Sequence, residues 1–400
     1  MDRAHDYVFG PAGGDETSQL GDIVARIGIA RLHILQTELG VPPDAYCILT
    51  PDRSPSRNSF RCRSGVVVGG VYIWGDGTRE FVPLGFAPTA CGLCTVGLNV
   101  LPPAVQIFNR LLAFPATQST VDGTRIRLDF ARRNHFISVF EVRALAQCPA
   151  PRHAYIAILH CSVPEIKQTS QFGFGLDYFR SQSLRDRADT LSSPLGEISF
   201  ASGPLAKEYY DLCSYANSFA CRKRAVIASY LFPDGEVLSN SQHHGLLSPN
   251  SCTVGSQQAD SSDVLPFLLG PNQSSFLVVP SGLQVKPQLG THQRVTPETA
   301  RSVNTAPMLG RLVPHGGGCH FDFLASSDLE IDSIHSHFSF RLTVRNGSEL
   351  IVPDVSDMPY GFRNADVLTT CEQEGFCRPI AELIPKYCLR FSDITVADPS

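Results

Sequence analysis

The sequence predicts an α+β fold on three observations. Short apolar runs bounded by glycine and proline outnumber helical patterns. The helical stretches fall among these runs without the regular strand–helix–strand alternation of a parallel sheet. Hydrophobic residues make up 43% and charged residues 18% of 400 positions, enough to bury a large core. In chain order, residues 20–39 place Ile23, Ile27, Ala30, Ile34 and Leu35 on one helical face. The glycine-rich run 65–73 and the run 154–159 read as buried strands. Residues 205–231 form the longest helical candidate, with Leu212, Tyr215, Phe219, Val226 and Tyr230. The stretch 238–275 is rich in Ser, Gln, Asn and Asp, and reads as a polar insertion or loop. The run 276–279 is again strand-like. Residues 379–383 start at Pro379 and stop before Pro385, which fits a short helix.

With 33 Lys+Arg against 38 Asp+Glu, the formal net charge is −5 and the pI about 6.2. This balance excludes disorder and a polybasic tail; a nucleic-acid partner would need a local basic groove. No run of 18 apolar residues occurs, so no membrane span is expected, and residues 1–6 lack the apolar stretch of a secretory signal. The 13 cysteines, an odd number, are scattered. Reduced thiols in a cytoplasmic protein are expected, most of them core residues and one or two of them ligands.

The residues with chemistry to offer lie mostly at the edges of apolar runs: Cys91, His135, His160, the pair His243–His244, and His315 before Gly316-Gly317-Gly318. Each alone is ambiguous. A single histidine at a strand end is usually a surface or core residue. Cys91-x-x-Cys94 without a second such pair is a weak redox or zinc signal. The glycines after His315 suit either a turn or a close approach to phosphate.

As an ordered series they are more specific. The order Cys, Asn-His-Phe, Leu-His, His-His, His-Gly-Gly-Gly resembles the RtcB family of GTP-dependent RNA-splicing ligases. The flanking text is similar too. Residues 85–100 look like that family's cysteine-ligand segment, Asn134-His135-Phe136-Ile137 like its Gly-Asn-His-Phe motif, and 209–224 like its Ala-x-x-Tyr-Ala-x-x-Asn-Arg helix. Val278-Val279-Pro280-Ser281-Gly282 and the tail 365–390 continue the likeness.

The resemblance implies one large domain over residues 48–391, mixed sheets and helices around a central metal and nucleotide cleft. Residues 1–47 would be a helical part of the same domain, and 392–400 a tail. It implies two manganese ions held by Cys91, His135, His160 and His244, with His315 the nucleophile that GTP guanylylates. Asn134, Ser281, Gly316, Gly317, Gly318 and Arg390 would contact the nucleotide. The implied substrate is RNA with a 3′-phosphate or 2′,3′-cyclic phosphate end and a 5′-hydroxyl end, joined by a monomer during RNA repair or tRNA splicing. A thiolate with imidazoles suits manganese, zinc or cobalt better than magnesium. Basic residues flank the motifs (Arg125, Arg127, Arg132, Arg133; Arg222, Lys223, Arg224), as an RNA groove or as a solvated face.

Several positions depart from the pattern. Pro88 replaces an Asp ligand and Ser138 a Glu. Cys161-Ser162-Val163-Pro164 replaces a phosphate-binding Ser-Gly-Ser-Arg, Gly245 an Asn, Cys319 an Arg, and Arg390-Phe391 a terminal Lys-Gly. Asp52 is kept, but Ser54 replaces the histidine after it. Cys94, Cys161 and Cys319 are near enough in sequence to stand in as ligands. Three alternatives stay open: the ligase, a catalytically weakened relative that binds metal and RNA ends or a partner, and a zinc-stabilised structural protein.

Overall fold

The structure, a computed structural model, describes residues 2–11, 14–77, 80–130, 135–145, 152–281, 312–321, 324–332, 337–390 and 394–396. Its main sheet uses β1 (Val8–Phe9), β2 (Tyr46–Pro55), β3 (Val67–Ile73), β4 (Cys91–Leu98), β5 (Phe136–Ala144) and β6 (Tyr155–Cys161). It continues with β7 (Glu236–Ser248), β8 (Ser251–Val254), β9 (Leu265–Phe267), β10 (Ser275–Pro280) and β11 (Cys377–Leu389). The spatial order is β1-β2-β3-β8-β7-β4-β6-β5-β11-β10-β9, with Ile394–Val396 paired off this path. All neighbours are antiparallel except β1 and β2. The mixed α+β class is as expected.

Two long helices cover the sheet. Helix α1 (Glu16–Glu38) is capped by Asp15, whose carboxylate accepts from the Ser18 N–H at 2.7 Å. Helix α2 (Gly203–Leu231) starts with Pro204 in its first turn, where the missing N–H costs no helical bond. Leu20, Val24, Ile27 and Leu35 of α1, and Leu212, Phe219 and Ile227 of α2, enter one core cluster that reaches Tyr387 and Leu389 of β11. Among the described residues, no helix is long and apolar enough to cross a membrane.

Two expectations are corrected. The polar stretch 238–275 is largely strand: β7 lies inside the sheet between β8 and β4. Two of its polar side chains are hydrogen-bonded, Asn240 to Arg224 and to the Cys221 carbonyl, and Ser241 to Gln257. Polar residues can occupy an interior strand once their donors and acceptors are paired. Residues 379–383 are strand, not helix. Pro379 and, beyond the stretch, Pro385 lie at register slips of β11, where the ladder is already interrupted.

Candidate metal centre

Antiparallel pairing puts the start of one strand beside the end of the next. Cys91 opens β4, His160 lies one residue from the end of β6, and His135 immediately precedes β5. Leu93 pairs with His160, and His160 with Phe136. Four neighbouring strands therefore deliver their ligand-type residues to one end of the sheet. The Cys91 Sγ lies 2.9 Å from His160 Nε2 and 3.3 Å from His135 Nε2. His243 Nε2 is 3.3 Å from His160 Nε2. The donor atoms of Cys91, His160 and His243 all lie within 4.8 Å of one another, and all three residues are buried.

The electrostatics favour a thiolate. Burial pushes the Cys91 thiol up, but the charges and hydrogen bonds of His160 and His135 outweigh it and hold the thiol well below its ordinary value. Burial works against protonation of His135 too; the Cys91 thiolate and the Asp129 carboxylate prevail and raise it to about 10. His135 Nδ1 lies 2.8 Å from Asp129 Oδ2, an ion pair that holds the ring with Nε2 toward the sulfur. His243 is driven by burial down to about 4 and is neutral at pH 7.

These residues fit a metal ion. A thiolate and two Nε2 atoms crowd together in a buried place, and His243 Nδ1 is buried without a partner. A divalent cation satisfies such converging lone pairs, and a sulfur–imidazole set suits zinc, cobalt or manganese. The Cys91-His160-His243 group could hold one ion, and His135 Nε2 lies 3.3 Å from the same sulfur.

His315 stands beside this centre. Its ring centroid is 5.1 Å from that of His243. A short antiparallel pair, Ser256–Gln258 with Leu312–Pro314, carries it there, and the Gly255 N–H donates to the His243 carbonyl at 2.6 Å. The fully buried Asp52 orients the ring: Oδ2 is 2.9 Å from His315 Nδ1, and the Gly316 N–H donates to the same oxygen at 2.9 Å. Thr50 Oγ1 donates to Asp52 Oδ1 at 2.5 Å. Burial raises the Asp52 carboxyl, and these bonds more than offset that, holding it below the ordinary carboxylate value. The ring thus keeps Nδ1 on Asp52 and Nε2 for chemistry. His315, His243 and His160 line a small cleft with Leu93, Phe136, Leu268, Pro271, Phe362 and Arg390.

Placed against the sequence expectations, Cys91, His135 and His160 converge, while His244 is corrected to His243. The register of β7 against β4 slips by one between Gln242 and His244. This bulge turns His243 toward the sulfur. His244 instead bonds Thr89 Oγ1 through Nδ1 at 2.7 Å and the Phe86 carbonyl through Nε2 at 3.3 Å. Of the glycines after His315, Gly317 lines the cleft. Gly318 packs on the Asp52 backbone so closely that a Cβ would sit 2.2 Å from its carbonyl oxygen. Arg390 reaches the cleft; Ser281 does not line it and gives its hydroxyl to the Gly375 carbonyl. Asn134, Arg132 and Arg133 lie outside the described residues.

The stand-in thiols are not in the cluster. Burial pushes Cys94 up to about 12 and Cys161 higher still, while Cys319 accepts no ligand role and bonds Ser54 through its backbone. Lys223 and Arg224 are fully buried, so neither belongs to an exposed RNA groove. Asp129, which the sequence reading missed, carries no motif; its only signal is a carboxylate between the apolar Leu128 and Phe130. The chain matches no protein-family model, and no curated protein matches it.

Proposed function

We propose that the protein is an RNA ligase that uses GTP and manganese and joins 3′-phosphate or 2′,3′-cyclic phosphate ends to 5′-hydroxyl ends through a histidine guanylate. One observation carries this reading: a buried thiolate–imidazole cluster, assembled from residues far apart in sequence, lies beside a histidine whose Nδ1 is held by a buried carboxylate. A bound divalent ion would supply charge neutralisation at the phosphate. The rest falls to the chain. Asp52 keeps the proton of His315 on Nδ1, so Nε2 presents its lone pair to the cleft. Nε2 forms the bond to the α-phosphorus, the bond to the departing pyrophosphate breaks, and its electron pair leaves with that group. Asp52 then stabilises the positive charge developing on the ring, as a buried orienting carboxylate does. Arg390, at the cleft wall, suits a contact to the nucleotide.

A second reading, the catalytically weakened relative that binds metal and RNA ends without ligating, is favoured by the cleft's composition. Among its described lining residues Arg390 is the sole lysine or arginine, and the walls are otherwise mostly apolar. Each charge-assisted phosphate contact contributes about 1.5–3 kcal/mol, so losing two or three lowers triphosphate affinity by orders of magnitude. Incubation with manganese and labelled GTP separates the two. Acid-labile label that His315→Ala lacks, and that Asp52→Asn reduces at least tenfold, is the expected result for the ligase. Absence of label at millimolar GTP and manganese overturns the ligase and favours the second reading instead.

A further inference from the structure

Lys223, on α2 near the centre, has none of its side chain exposed. Its ammonium donates to two backbone carbonyls, Arg127 at 2.7 Å and Ser162 at 2.9 Å. It lies 3.0 Å from Glu165 Oε1, itself buried, and 3.6 Å from Asp129 Oδ1, an ion pair without a hydrogen bond. Both segments so tied lead to the metal centre. Residue 162 follows the end of β6, two positions beyond His160, and its N–H and hydroxyl both donate to Asp129 Oδ2, at 3.1 and 2.9 Å. That same oxygen faces His135 Nδ1 at 2.8 Å. Glu165 closes the ring by accepting from the Arg127 N–H at 2.7 Å.

Burying a cation with two carboxylates is costly unless each group is paired. A core position needing only volume would be filled by leucine. A lysine there, with its three donors used on two loops and a carboxylate, is explained if the loops must be held in one arrangement. Burial alone would lower the charge of Lys223, and Asp129 and Glu165 hold it in place.

We infer that Lys223 is a positioning residue for the metal centre: by tying the 127–129 and 162–165 segments together it holds Asp129 against His135 and so aims His135 Nε2 at the Cys91 sulfur. The inference rests on the metal centre put forward above, and the test separates the two. Metal-free protein is titrated with cobalt(II), and the thiolate-to-cobalt absorption is followed for wild type, Lys223→Met, Asp129→Asn, the double variant and Leu212→Ala. Leu212 is a buried residue of the same helix α2 with no link to Asp129, so its variant reports what destabilisation alone does.

Lys223→Met is expected to weaken cobalt binding 10- to 100-fold, the usual effect of removing an orienting partner. Asp129→Asn should do the same, the double variant should be no worse than Asp129→Asn, and Leu212→Ala should stay within threefold of wild type. If Lys223→Met does not accumulate, Lys223→Gln replaces it, keeping a donor for the carbonyls without the charge. Wild-type affinity in the lysine variant, or an equal loss in Leu212→Ala, overturns the positioning role while leaving the metal centre standing. A wild-type protein that gives no thiolate–cobalt band overturns both.

Discussion

A metal ion and a proton compete for His135. Because the imidazole is held up to about 10 in the metal-free protein, an ion that takes His135 Nε2 as a further ligand at pH 7 displaces its proton. His243, already neutral, adds no such cost. The logarithm of metal affinity should therefore rise by about one per pH unit between pH 6.5 and 8.5, and cobalt titrations at three pH values measure the slope. In His135→Ala the slope should flatten. The neighbouring pair gives a sharper residue-level test. His243→Ala should abolish tight binding of the ion shared with Cys91 and His160, whereas His244→Ala should keep the metal stoichiometry and lose about 1–3 kcal/mol of stability, from the polar groups of Thr89 and Phe86 left unpaired. Metal content by mass spectrometry and urea unfolding read the two effects. The sequence disclosed Cys91, His135, His160 and His315 because residue type and order are properties of a string. It did not disclose which of His243 and His244 faces the sulfur, since that depends on a register slip against a strand some 150 positions away. Lys223 was misjudged for a related reason: a basic triplet looks the same on paper whether its side chains meet water or carboxylates.

At the scale of elements, the segment that presents Cys91 is strained. Ala87 and Ala90 both adopt left-handed backbone, with φ of 40° and 51°, on either side of Pro88 and Thr89. The tie-points are Arg61, which donates to the Phe86 and Ala87 carbonyls at 3.2 and 2.9 Å, and His244. The strained loop is thus fastened from two sides immediately before the ligand. Ala87→Gly, which removes the Cβ clash of left-handed backbone, should raise unfolding stability by about 1 kcal/mol, and denaturant titration checks it. Long elements with a clear period, α1 and α2, were legible in the sequence. The strand β11 was not: Pro379 is equally at home at a helix start and at a break in a strand ladder, and only the pairing with β5 and β10 decides. β7 escaped notice because polar residues such as Asn240 find their partners on α2, a fact no window of sequence contains.

For the molecule as a whole, an ion that binds only the folded chain stabilises it by mass action, by about 2.7 kcal/mol at one hundred times the dissociation constant. Chelation should accordingly lower the unfolding midpoint by a few degrees in wild type and leave it unchanged in Cys91→Ser, as scanning calorimetry with and without EDTA would show. The sheet that makes this possible also sets a timetable. Its central neighbours join β4 to β7, two strands well over a hundred positions apart, and the His315 limb closes later still. During synthesis the thiol of Cys91 leaves the ribosome long before His243 and His315 exist to surround it. Metal loading must wait until residue 243 has been made, and until then that sulfur is open to any oxidant or stray copper that the nascent chain meets.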